Sequence, residues 1–126
     1  MFMKSIQSLC LIQSILMKTD LSNATFIIPI RIESDDRLRN VVTSIAFLVE
    51  NFDTNIIVKE VDKESVFQTE VLPIFEEILE VDLWKNFHHI FERSEEPLFH
   101  RQRVLNEMIA ECDTDIVVNY DCDVVL

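Results

Sequence analysis

Thr25-Phe26-Ile27-Ile28-Pro29-Ile30 is an almost continuous apolar run, and its reading decides the class of fold. A strand with one wet face alternates apolar and polar residues. A strand buried on both faces of a parallel sheet does not. Pro29 near the end of the run suits a strand terminus, because proline has no N–H to give to a ladder. Downstream, Leu38, Val41, Val42, Ile45, Leu48 and Val49 recur at helical spacing as far as Glu50, with Ser34 or Asp35 as the cap. Asn51–Asn55 reads as a turn, and Ile56-Ile57-Val58 as a second buried strand reaching about Val61.

The alternation continues. Ser65–Leu79 returns to helical spacing. Pro73 sits awkwardly inside it, so the helix proper is expected to begin near Leu72 after a looser turn. Phe87–Phe91 reads as a third strand, Arg93–Pro97 as a charged loop, His100–Glu111 as a helix and Asp115–Tyr120 as a fourth strand. Strands alternating with helices predict an α/β domain, a three-layer α/β/α sandwich around a mostly parallel sheet. Upstream, Met1–Met17 carries Ile6, Leu9, Ile12 and Leu16 at amphipathic spacing, and the polar stretch Lys18–Ala24 reads as a connector. Residues 1–24 are thus expected to be a leading helix and connector, and residues 25–126 one α/β domain. The leading stretch is too short and too polar to span a membrane.

Composition narrows the chemistry. A formal charge of −12 over 126 residues argues against nucleic acid, whose phosphates such a surface repels. Glycine is absent, which excludes the P-loop and the dinucleotide fingerprint. Phosphate binding must therefore use a metal ion, side chains or non-glycine backbone. Cys10, Cys112 and Cys122 form no CxxC pair and no zinc-like cluster, and the expectation is reduced thiols in a cytoplasmic protein.

Ligands of open parallel sheets bind beyond the carboxyl ends of the strands. Polar clusters lie at those ends: Arg31–Glu33, Glu60–Asp62, Glu92 with Arg93, and Asp121–Asp123. Asp121 and Asp123 form the sharpest of these. Two carboxylates at i and i+2 after an apolar strand can converge on one hard divalent cation, Mg²⁺ or Mn²⁺, that also holds a diphosphate. The plain alternative is an acidic turn closing a strand.

Phe26-Ile27-Ile28-Pro29-Ile30-Arg31-Ile32, the helix at Arg37–Glu50 and the strand Asn55–Glu60 resemble the opening βαβ of family-2-like glycosyltransferases of the Rossmann-like GT-A fold. Phe99-His100-Arg101-Gln102-Arg103-Val104-Leu105-Asn106 resembles the family's helix with a basic residue and a Leu-Asn pair. Ile116–Asp123 resembles its strand leading into the DxD motif. The "FHR" segment is most similar to a galactosyltransferase-like subgroup, and the likeness runs from about Thr25 to Leu126. It implies that Ile30 and Arg31 border the nucleoside pocket. Glu60, with Asp62 beside it, would accept hydrogen bonds from base or ribose. Arg101, with Arg103 and His100, would face the phosphates or base. Asn106 would hold the helix against the donor site, and Asp121 and Asp123 would bind the metal. The implied partners are a nucleotide diphosphate sugar, a UDP-sugar first, and a hydroxyl acceptor such as a glycan. The family's second half, with its acceptor site and general base, is not in this sequence. The chain is therefore expected to be a fragment, inactive alone, with no catalytic residue of its own.

Two other readings fit parts of the sequence. An apolar strand followed by Asp-x-Asp-Val also opens haloacid-dehalogenase-like phosphatases, with Asp121 as nucleophile and Asp123 as acid/base. There the motif begins the domain, whereas here three βα units precede it. The third reading is a non-catalytic α/β fragment whose last strand pairs with a partner chain.

Overall fold

The computed structural model describes residues 19–79 and 86–122. The leading helix expected at Met1–Met17 and the second aspartate, Asp123, lie outside these residues. Four strands form one all-parallel sheet: β1 (Thr19–Ile30), β2 (Phe52–Asp62), β3 (Phe87–Arg93) and β4 (Ile116–Asn119), in spatial order β3-β2-β1-β4. Helices α1 (Asp35–Asn51), α2 (Leu72–Ile78) and α3 (Arg101–Glu111) connect them. The expected α/β sandwich is the observed one. Among the described residues no helix is long and apolar enough to cross a membrane.

Strand alternation builds two cores. Phe26, Ile28 and Ile30 of β1 and Ile56 and Val58 of β2 pack with Val41, Ile45, Leu48 and Val49 of α1 and with Phe67, Val71 and Phe75 around α2. On the opposite face Ile27 and Val61 pack with Val104, Leu105 and Met108 of α3. Every residue of β1 from Ala24 to Ile30 is buried, as the unbroken apolar run predicts.

Two boundaries differ from the sequence reading. Residues 19–24 are strand rather than connector, and residues 52–55 are strand rather than turn. The β1–β2 register shifts between Leu21 and Thr25, leaving an irregularity that side chains close. Thr54 Oγ1 donates to the carbonyls of Leu21 (2.9 Å) and Ala24 (3.0 Å), and Asn55 Nδ2 to those of Ser22 (3.1 Å) and Ala24 (3.0 Å). Polar residues that look like loop formers are here the groups that satisfy a bulged strand's carbonyls.

The helix starts follow their chemistry. Ser34 Oγ accepts the Arg37 N–H at 3.2 Å and caps α1, and Asp35 and Asp36 lie in the first turn, favourable against the helix dipole. Ahead of α2 a wider π-helical turn spans Phe67–Val71, and Pro73 falls in the first turn of α2, where its missing N–H costs little. The looser turn expected before Leu72 is this π turn.

Candidate functional site

Beyond β1 the connections reverse direction. β2 and β3 lie on one side of β1 and β4 on the other, with α1 and α3 on opposite faces of the sheet. This is a topological switch point, where the loops of neighbouring strands part and leave a crevice. The backbone shows how it opens. Tyr120 N donates to Ile27 O at 3.1 Å, so Ile27, and by alternation Pro29, present their backbone to the β4 side. Pro29 offers no N–H there, and the β1–β4 ladder stops at Ile27 and Asn119. A cleft of about 270 Å³ opens at that point, lined by Pro29, Ile30, Arg31, Glu33, Arg37, Val41, Phe99, Arg101, Asp121 and Cys122.

Three arginines border it. Arg31 is 7% exposed. Its Nε donates to Val61 O at 2.7 Å and its Nη1 to Glu96 O (3.0 Å) and Pro97 O (3.1 Å). Its guanidinium carbon lies 5.6 Å from the centre of the Phe99 ring. Carbonyl dipoles and an aromatic face thus hold a buried cation, and among the described residues no carboxylate pairs with it. A desolvated charge without a counter-ion is costly, and an anion in the cleft would offset that cost. Arg101 opens α3. Its Nη2 donates to Asn119 Oδ1 at 3.2 Å and lies 3.9 Å from Asp121 Oδ2. Arg37 enters from the first turn of α1.

Among the residues expected at the site, Ile30, Arg31, Arg101 and Asp121 line the cleft together. Glu60, Asp62, His100, Arg103 and Asn106 are not in its lining. Glu60 is 0% exposed. Ser65 Oγ donates to Glu60 Oε1 at 2.6 Å, the N–H groups of Val66 and Phe67 donate to Oε2 at 2.9 and 3.1 Å, and His89 Nε2 lies 3.2 Å from Oε1. Burial alone would raise this carboxyl, but the hydrogen bonds from His89, Ser65 and Phe67 outweigh it and hold it below the usual glutamate value. Glu60 caps the turn ahead of α2 with both carboxylate oxygens buried. Asp62 Oδ1 accepts the Lys63 N–H at 2.8 Å.

Arg103 is also taken up internally. Its Nη1 reaches Glu107 at 2.7 Å and its Nη2 reaches Glu92 at 2.9 Å. Lys59 Nζ, 8% exposed as a residue, lies 2.8 Å from Glu107. His100 precedes α3 and makes no side-chain cap. Asn106 Oδ1 accepts from Gln102 Nε2 at 3.1 Å on an exposed helix face.

Sequence reasoning gave no role to Arg37 or Phe99, and placed Glu33 only in the polar cluster Arg31–Glu33 at a strand end. Arg37 carries a usable signal, because a cation in the first turn of a helix runs against the dipole and asks for another reason to be there. Phe99 carries none until Arg31 is seen over its ring. Asp121 and Glu33 are the described carboxylates in the lining, and both are hard oxygen donors suited to Mg²⁺ or Mn²⁺. Among the described residues no group of three His, Cys, Asp or Glu side chains is close enough to hold a metal ion. Compared with protein-family models, curated proteins and solved structures, the chain matches none.

Proposed function

We propose that the chain is the nucleotide-sugar-binding half of a GT-A-type glycosyltransferase, and that the cleft between β1 and β4 takes the diphosphate of a nucleotide diphosphate sugar, a UDP-sugar first. The observation that carries this reading is the convergence of Arg31, Arg37 and Arg101 on one crevice at the switch point of a parallel sheet. In a chain of net charge −12, three arginines against two carboxylates, Glu33 and Asp121, leave this cleft with a cationic excess that favours an anion. Arginine suits phosphate oxygens because its planar fork donates two hydrogen bonds at once. Arg31 is held in place before any ligand arrives, so little side-chain entropy is lost on binding.

Asp121, with Asp123 two residues on, would hold a divalent ion that neutralises the diphosphate as it leaves. This chain's own residues would bind and orient the donor: Phe99 and Ile30 offer apolar surface, and Arg37 and Arg101 offer guanidinium donors. Transfer of the hexosyl group to a hydroxyl acceptor needs a general base that the reading assigns to no residue here. The order of elements favours this reading over a phosphatase with Asp121 as nucleophile, because three βα units precede Asp121.

Calorimetric titration with UDP, GDP and their sugars, with and without Mn²⁺, tests the proposal. UDP is expected to bind more tightly with Mn²⁺, and Asp121→Ala to abolish that difference. A metal effect that survives in Asp121→Ala removes the metal role, and no binding of any nucleotide removes the whole reading.

A further inference from the structure

Among the described residues the sheet ends at β3, whose outer side pairs with no other strand, and its backbone can be read residue by residue. Ile56 N donates to Asn86 O at 3.0 Å and Ser94 N donates to Asp62 O at 2.9 Å, so Asn86 and Ser94 both face β2. The register between them is unbroken from Ile56↔Phe87 to Asp62↔Arg93. By alternation His88, Ile90 and Glu92 bond inward, and His89, Phe91 and Arg93 turn their N–H and C=O groups away from the sheet. Natural edge strands are usually blunted by lysine, proline, a bulge or a covering element. The stretch Phe87-His88-His89-Ile90-Phe91-Glu92-Arg93 has no lysine, proline or bulge, and its charged residues, Glu92 and Arg93, stand together at one end. Ile90 is 37% and Phe91 38% exposed, so apolar surface shows on both faces of the edge.

This strand is also complementary to itself. Laid antiparallel about Ile90, it sets His89 opposite the partner's Phe91, both outward-facing, as a hydrogen-bonded pair. Ile90 meets the partner's Ile90 at the close, non-bonded spacing, and His88 meets the partner's Glu92 on the same face, twice by symmetry. A shift of one residue would set inward-facing backbone against outward-facing backbone. Of the two-residue shifts, one sets His89 opposite itself and the other sets Ile90 opposite the partner's Glu92 and His89 opposite the partner's Arg93, and neither pairs His88 with Glu92. We propose that two copies of this chain associate through β3, antiparallel about Ile90, to continue the sheet across a two-fold axis. This is independent of what the cleft binds.

Sedimentation velocity and amide exchange on the full 126-residue chain test the pairing. The mass should rise reversibly from one copy to two with concentration. In dilute solution the amides of His88, Ile90 and Glu92 should be protected and those of His89, Phe91 and Arg93 exposed; in the dimer all six should be protected. His88→Glu sets like charges opposite each other on an exposed position and should weaken the dimer about tenfold, whereas His88→Lys should retain it. A single-copy mass at every concentration overturns the proposal. So does a dimer in which the His89, Phe91 and Arg93 amides stay exposed, or one indifferent to His88→Glu.

Discussion

The carboxyl end of β2 and the crevice beyond β1 and β4 are both rich in charge, and they treat it in opposite ways. At the end of β2 each charged group is answered from within. Glu60 has four partners, and Lys59, Glu92, Arg103 and Glu107 close a ring of alternating sign. Around the crevice Arg31 is buried on carbonyls and a ring, and among the described residues Arg101 pairs with the Asp121 carboxylate at 3.9 Å. Groups answered internally hold the fold, and a buried cation held by carbonyls and a ring, as Arg31 is, is where an anionic ligand adds most.

That contrast can be broken by mutation. Glu60→Ala should have the largest effect. It strands the buried N–H of Phe67 and the part-buried N–H of Val66 and hydroxyl of Ser65, and should lower stability by about 3 kcal/mol in denaturant titration. A stable Glu60→Ala variant that no longer binds nucleotide would move Glu60 from the fold to the site. The pH dependence should follow the same group. Its folded value lies below the ordinary value near 4.5, so its contribution is fully present above that pH and is lost as the pH falls through the folded value. Glu60→Gln should flatten the stability curve below about pH 4.5, and an unchanged acid limb would count against the cap.

Arg37→Ala and Arg101→Ala should each weaken UDP binding by roughly tenfold, the loss of one charge-assisted hydrogen bond, with the melting temperature nearly unchanged. Arg103→Ala should do least. Its partners are about two-fifths exposed, and such screened pairs contribute little to stability and nothing to nucleotide binding.

Much of the fold was legible because burial writes itself into periodicity. The run from Thr25 to Ile30 and the α1 stripe of Val41, Ile45, Leu48 and Val49 each indicated an element and the face it buries. The strand starts at Thr19 and Phe52 were not legible, since Thr54 and Asn55 look like turn residues until the bulge they satisfy is known. The site was half legible. A strand-end residue such as Arg31 or Asp121 can be placed from sequence, because the carboxyl edge of a parallel sheet has an address. Whether such a residue is open to a ligand depends on partners distant in sequence. Glu60 is closed by His89, 29 residues on, and Arg103 by Glu92, 11 residues back, and neither pairing follows from spacing alone.

The account rests most directly on the affinity for UDP with Mn²⁺, measured by calorimetry for the unaltered chain, Arg37→Ala and Arg103→Ala side by side. It predicts a loss near tenfold in the first variant and none in the second. Equal affinity in all three, or a loss confined to Arg103→Ala, would contradict it.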